Sequence, residues 1–335
     1  MRPVKLRLLF LGLFLALLLS AGLSLSVGTY PISLRQQAGI LLGRGTTLGE
    51  GSAAADILLK LRLPRVLAAI LVGGALSVAG VIFQGLFHNP LVEPYTLGVS
   101  GGAAVAVSAA LFFLPAAVWG FLPLFGLGGA WLAVFIAYSI ARRRRILKMT
   151  YLLLVGVMVS FISSSLISLF LAVSPLSEFR AVIFWAMGSL EGAGGGVLGL
   201  SAGLVIPCVL LAWGRSWILN ALVLGEEGAL SLGINLEREK SRLFILGSAL
   251  AGAAVAAAGI IGFVGLVVPH FVRRLTGRDH RCLIPASFLA GATFLLLCDL
   301  LARRLLAPVE LPVGVVTGIA GGLAFIVFLS RGEKE

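Results

Sequence analysis

The chain has 335 residues, 59% of them hydrophobic and only 12% charged, with a mean hydropathy of +1.08. Those fractions exclude a soluble globular domain. The net charge of +12 would suit nucleic acid, but Lys and Arg cluster between apolar runs and read as topology determinants, so no nucleic-acid partner is expected.

Apolar runs near twenty residues recur along the chain, and a bilayer core of roughly 30 Å needs about 20 helical residues per crossing. The runs are continuous rather than alternating, which predicts helices and not a barrel. The expected fold is therefore all-α and polytopic, one transmembrane domain over residues 1–335 with about ten spans. The spans are 6–28, 64–87, 95–114, 118–140, 149–173, 192–213, 243–261, a short one at 263–273, 283–302 and 312–329. Residues 1–27 also fit a secretory signal, with a basic start, an apolar stretch and then small residues; the many later spans favour an uncleaved first helix.

An even number of spans puts both termini on one side. Placing them in the cytoplasm puts eighteen of the 26 basic residues inside: Arg2, Lys5 and Arg7, then Arg142 to Arg145 with Lys148, then Arg215, Arg238, Lys240 and Arg242, then Arg273, Arg274, Arg278 and Arg281, and Arg331 with Lys334. The exceptions are Arg35, Arg44, Lys60, Arg62, Arg65, Arg180, Arg303 and Arg304. Five of these flank spans two and nine and predict a basic outer rim, built either to contact lipid phosphate or to dock an acidic soluble partner.

Span two carries Gly73, Gly74 and Gly80, and span three begins near Gly98, Gly101 and Gly102; such small residues let helices approach closely where lipid supplies no hydrophobic drive. The stretch AGVIFQGLFHNPLV at 79–92 resembles AGIIGFVGLVVPHFV at 258–272, a weak repeat whose two copies run in opposite directions, giving the fold an inverted-repeat character. Ser163, Ser164 and Ser165 in span five have no partnered base and read as packing or path lining. Gly192 to Gly196 predict a bend before span six.

The longest polar inner stretch, 214–242, repeats small and apolar residues at helical spacing: Leu222, Leu224, Ala229 and Leu232. It predicts a short amphipathic helix pair outside the membrane, folded on its own bundle or presented to another protein. Asp299 is the one acid well inside a span, with Arg303 a turn later as its expected i,i+4 partner. The scarcity of membrane acids weakens an ion-coupled secondary transporter, which remains the alternative from another class. No phosphate loop, metal-ligand cluster or nucleophile with its base occurs, so neither catalytic residues, a metal nor a cofactor is expected. Cys208, Cys282 and Cys298 lack ligand spacing and read as packing residues.

Four blocks in order carry a family resemblance: RLPRVLAAILVGGALSVAGVIFQGLFHNPLVEPYTLGVSGGA at 62–103, LGEEGALSLGI at 224–234, GIIGFVGLVVPHFVRRLTGRDHR at 259–281, and DLLARRLLAPVELPVGVVTGIAGGLAFIVFL at 299–329. Together they resemble the FecCD family of ABC permeases. The one departure noted is that Gly321 to Phe325 lacks a proline found in many relatives. The resemblance implies a non-enzymatic permease subunit in a bacterial or archaeal cytoplasmic membrane. It implies a homodimer with two separate ATPase subunits that bind ATP and Mg, and an external binding protein. It further implies a metal-chelate cargo, with a ferric siderophore expected and haem or cobalamin as alternatives. By the same resemblance Arg62, Arg65 and Arg303 would dock the binding protein, and Gly225, Glu226, Ala229, Leu232 and Gly233 would couple to the ATPase. Asn89, Pro90 and Leu91 would lie at the cytoplasmic gate.

Overall fold

In the computed structural model, which describes residues 3–28, 30, 32–42, 50–142, 149–173, 175–192 and 194–330, every one of the apolar runs becomes a helix. The order is α1 (Pro3–Ser26), α2 (Leu34–Leu41), α3 (Glu50–Asp56), α4 (Leu63–Phe87), α5 (Val99–Phe113), α6 (Leu122–Arg142), α7 (Met149–Val173) and α8 (Leu176–Ala186). It continues with α9 (Gly195–Gly214), α10 (Ser216–Val223), α11 (Glu226–Ser231), α12 (Leu236–Ala258), α13 (Val264–Thr276), α14 (His280–Arg304) and α15 (Val313–Ser330). No strand occurs among the described residues. Among the described residues seven rods are long and apolar enough to cross a bilayer, and α5 and α15 are shorter apolar helices. At 13 residues, α13 is only about 20 Å long and covers roughly half a crossing. The short helices α2, α3 and α8 are additions to what apolar run length predicts.

A π-helical turn, Ile57–Arg62, joins α3 to α4. Its cause lies one residue into α4: Pro64 has no N–H to offer the preceding turn and its ring crowds the carbonyl there, so the helix widens locally. In the rod Ala53–Phe87 that contains it, and in α12, 83% of the most apolar window is buried, against 17% in α1, α7 and α9. The former pair is thus the centre of the bundle and the latter three lie on its periphery.

Glycines make the central crossings possible. Gly73 of α4 faces Gly291 of α14, Gly102 of α5 faces Gly129 of α6, and Gly80 of α4 faces Gly265 of α13, each so close that a methyl group would strike the opposing backbone. Lipid tails are as apolar as the side chains, so van der Waals contact between backbones supplies the attraction. A Gly80→Ala variant is expected to lose about 1–3 kcal/mol of stability through overpacking. Gly203→Ala, which meets open space, is the matched control, and detergent unfolding midpoints of the two should separate clearly.

The bundle has two faces. The end of α1, the start of α4 and the end of α14 meet on one, through Arg62 and Arg303. The end of α4, the helix α10 and the start of α14 meet on the other, through His88 and Asn220. Near the end of α15, Phe328 packs on His270 and Phe271, and Arg274 lies over its ring at 3.9 Å. The last helix therefore finishes on the face where α1 begins, here called the terminal face, which fits an even number of passes. Arg2, Arg44, Arg143 to Arg145, Lys148, Arg331 and Lys334 lie outside the described residues. The two repeat-like stretches differ locally: 79–87 is helix, whereas 259–263 breaks the chain between α12 and α13, with Gly259 and Phe263 at φ of 68° and 69°.

Candidate functional sites on the two faces

On the terminal face the expected helix pair is present as α10 and α11, separated by Gly225 at φ 92°. A second left-handed residue, Gly233 at φ 75°, ends α11; side chains with a Cβ adopt that conformation at a cost, which suits glycine at both ends. Glu226 and Glu227 occupy the first turn of α11, where negative charge complements the helix dipole. Lys240 of α12 is buried and donates to Glu226 at 2.6 Å, tying α11 to the central helix. Glu239 pairs with Arg215 at 3.5 Å and with Arg242.

The apolar face expected from spacing divides in two. Leu222 and Ala229 are buried, Ala229 completely, while Leu224, Leu230 and Leu232 are 71%, 57% and 62% exposed. Ala229 is therefore a packing residue holding α11 down, and the surface open to a partner is the leucine triplet. Leu224 and Leu232 stand at the C-caps of α10 and α11, beyond the helical turns that bury Leu222 and Ala229.

Asn89, Pro90 and Leu91 are exposed on the same face. His88 ends α4 in the left-handed region at φ 51°, and its Nε2 bonds the carbonyl of Leu222 at 2.7 Å. The Asn89 side chain accepts the Leu91 N–H at 2.9 Å. One hydrogen bond thus joins the candidate gate turn to α10.

On the opposite face, two of the three arginines expected to dock a binding protein are turned into the bundle. Arg62 and Arg303 are only 7% and 8% exposed. Arg62 donates to the carbonyls of Leu25 at 2.6 Å, Ser26 at 3.2 Å and Tyr30. Arg303 donates to the carbonyls of Ser24 and Val27 at 3.3 and 3.1 Å, and to the Ser24 hydroxyl at 2.5 Å. The last carbonyls of a helix lack intrahelical donors and carry the negative end of its dipole, so two guanidiniums cap α1 and hold its end to the bundle. Neither is presented to a docking partner here. The expected pair of Asp299 with Arg303 is present at 3.0 Å, and Arg65 joins it at 2.8 Å while reaching Glu310 at 2.7 Å. Arg65 is the one of the three with a side chain part-exposed, and Arg35, Arg180 and Arg304 are exposed.

A cavity of about 570 Å3 opens beside this network, lined by Arg65, Trp119, Trp185, Glu191 and Glu310 among others. Glu191 is held above the ordinary carboxylate range, first by its hydrogen bond with Glu310 and then by burial. Burial also pushes Glu310 up, but the hydrogen bonds from Arg65 and Glu191 more than offset it and its carboxyl sits below the usual range.

Sequence reasoning missed Glu93. It sits between α4 and a 3-10 turn, Pro94–Leu97, that re-enters the bundle, and its Oε1 accepts the N–H of Phe263 at 2.7 Å. Tyr95 accepts the N–H of Ile261 at 3.3 Å. Non-helical backbone within a bundle needs such internal partners, so these two side chains satisfy the broken link between α12 and α13. Ser163 is buried against Gly101, whereas Ser164 and Ser165 are exposed, and the hydroxyls of Ser165 and Ser168 bond carbonyls one turn back in α7. Cys208, Cys282 and Cys298 are free thiols, the last buried.

Residues 15–331 match the FecCD transport family. The hemin transport system permease protein HmuU of Yersinia pestis is 38% identical over 98% of this chain and 97% of its own length. The iron(3+)-hydroxamate import system permease protein FhuG of Bacillus subtilis is 34% identical over 95% of each chain. A solved inward-facing structure described as of the metal-chelate ABC transporter type superposes with a TM-score of 0.84 at 31% identity, over 97% of this chain and 99% of that one. The chain belongs to the FecCD transport family: it is a membrane permease subunit of an ABC importer and not an enzyme.

Proposed function

We propose that the whole chain acts as one transmembrane domain and, as a homodimer, forms the translocation path for a metal chelate, with a ferric siderophore as cargo. Haem and cobalamin are the alternative chelates. The observation that carries the reading is the exposed triplet Leu224, Leu230 and Leu232 on a helix pair locked to the bundle. An apolar patch held rigidly outside the spanning rods fits a soluble partner, here an ATP-binding-cassette subunit that binds ATP and Mg. The terminal face is then cytoplasmic, in a bacterial or archaeal cytoplasmic membrane. An external binding protein docks on the opposite face, where Arg65 and the exposed Arg304 take the part first assigned to Arg62 and Arg303.

In this mechanism closure of the two ATPases displaces α10 and α11, and helix tilting exchanges which end of the axial path is open. ATP acts because the ATPase dimer binds one permease state better than the other. Asp299 is held by two guanidiniums and Glu93 by a backbone N–H, which argues against either as the site of a coupling ion. Similarity to the hydroxamate permease supports the siderophore reading, and similarity to the hemin permease keeps haem as its main competitor.

The test uses proteoliposomes holding the permease, its ATPase and its binding protein, offered ferric hydroxamate, hemin or cobalamin. ATP-dependent accumulation of ferric hydroxamate is expected. Accumulation of hemin or cobalamin alone would move the cargo within the class, and accumulation without the ATPase, driven by an ion gradient, would overturn the reading.

A further inference from the structure

The side chain of Asn220, on α10, makes three hydrogen bonds to the start of α14. Its Oδ1 accepts the backbone N–H of His280 at 2.9 Å and Nδ1 of the same residue at 2.8 Å, and its Nδ2 donates to Asp279 Oδ1 at 2.7 Å. The carboxylate needs a donor, which fixes the amide orientation, and the doubly used oxygen then requires His280 to carry its proton on Nδ1. Asp279 is also the N-cap of α14, accepting the Arg281 N–H at 3.0 Å. His280 is buried against Gly85 of α4. Trp213, at the end of α9, adds a hydrogen bond to the Arg281 carbonyl at 3.0 Å.

We infer that Asn220 is a positioning residue that makes α10 and the start of α14 one rigid unit, so that displacement of the coupling segment is delivered to α14 instead of being absorbed at the Gly225 turn. The inference rests on the ATPase-coupling role proposed above for α10 and α11. At 25 residues, α14 is about 37 Å long and reaches the opposite face, where Asp299 and Arg303 hold Arg65 and the end of α1. One helix therefore runs from the ATPase surface to the docking surface; Pro285 in its second turn has no N–H for the Arg281 carbonyl, which the Trp213 side chain serves in its place. On the way it packs on α4 through Gly291 against Gly73, too tightly to slide freely.

The geometry offers an exchange test. N220D places two carboxylates where donor and acceptor stood, whereas N220D/D279N restores one of each with the roles reversed and keeps an N-cap residue at 279. Spin labels on S231C and native Cys282, with Cys208 and Cys298 replaced by alanine, report the distance from α11 to α14 in the complex with its ATPase. The wild-type distance should be narrow and unchanged between nucleotide-free and ATP/vanadate-trapped states. It should broaden in N220D and narrow again in the exchange. Ferric hydroxamate uptake per ATP should fall about tenfold in N220D and recover in the exchange, the size expected for a hydrogen bond to a charged group. A wild-type distance that changes between states, or an exchange that folds but does not recover the narrow distribution, overturns the inference. A chain that binds no ATPase would remove the coupling role of α10 and α11, and the distances in N220D and the exchange would still decide whether Asn220 fixes α14.

Discussion

Replacing Asp299 with alanine is expected to destabilise the protein by about 3–5 kcal/mol, the cost of breaking a buried ion pair by removing one partner. The carboxylate is 1% exposed and answers two guanidiniums at once, Arg65 at 2.8 Å and Arg303 at 3.0 Å. Arg65 keeps Glu310, but Arg303 has no other carboxylate among the described residues. Its remaining acceptors are the carbonyls and hydroxyl that end α1. Stranding that charge therefore strains the clamp on α1 as well. Asp299→Asn keeps the shape and loses the charge, so most of the loss should persist in it. Detergent unfolding followed by circular dichroism measures both variants. A midpoint within about 1 kcal/mol of wild type would mean that water or lipid phosphate already compensates the arginines, and that the network is weak.

The helical rods were legible because burial in lipid requires long uninterrupted apolar runs, and nothing else in a 335-residue chain produces them so regularly. The glycine crossings were legible for the same reason: Gly73 and Gly80 lie in such a run, where their value is close approach. Residues whose role depends on distant backbone were not legible. Arg303 looks like any arginine at the end of a span, and only the fold brings it to the Ser24 carbonyl, 279 residues away. Glu93 escaped because it precedes a short 3-10 turn with no helical periodicity to mark its depth. Leu224 and Ala229 shared one spacing pattern, but Leu224 stands exposed at the C-cap of α10 while Ala229 lies buried inside α11.

That division decides where the ATPase contact should be probed. A bulky charge at Ala229, which has no exposed surface, would lift α11 from the bundle and lose coupling by local unfolding, a result that says little about the partner. Leu230→Glu acts on a side chain already in solvent, so the permease should fold and insert normally. Burying a leucine at an interface is worth about 1.5–3 kcal/mol. Forcing an unpaired carboxylate into the same place adds a desolvation cost of comparable size or more. The sum predicts at least a hundredfold weaker ATPase association and loss of ATP-driven uptake. Co-purification with a tagged ATPase and uptake into proteoliposomes read the two effects separately. Leu230→Met, which keeps an apolar contact, should stay within about tenfold of wild type. Association and uptake that survive L230E would place the ATPase elsewhere on the terminal face, and the turn at Asn89, Pro90 and Leu91, joined to α10 through His88, would be the next surface to charge.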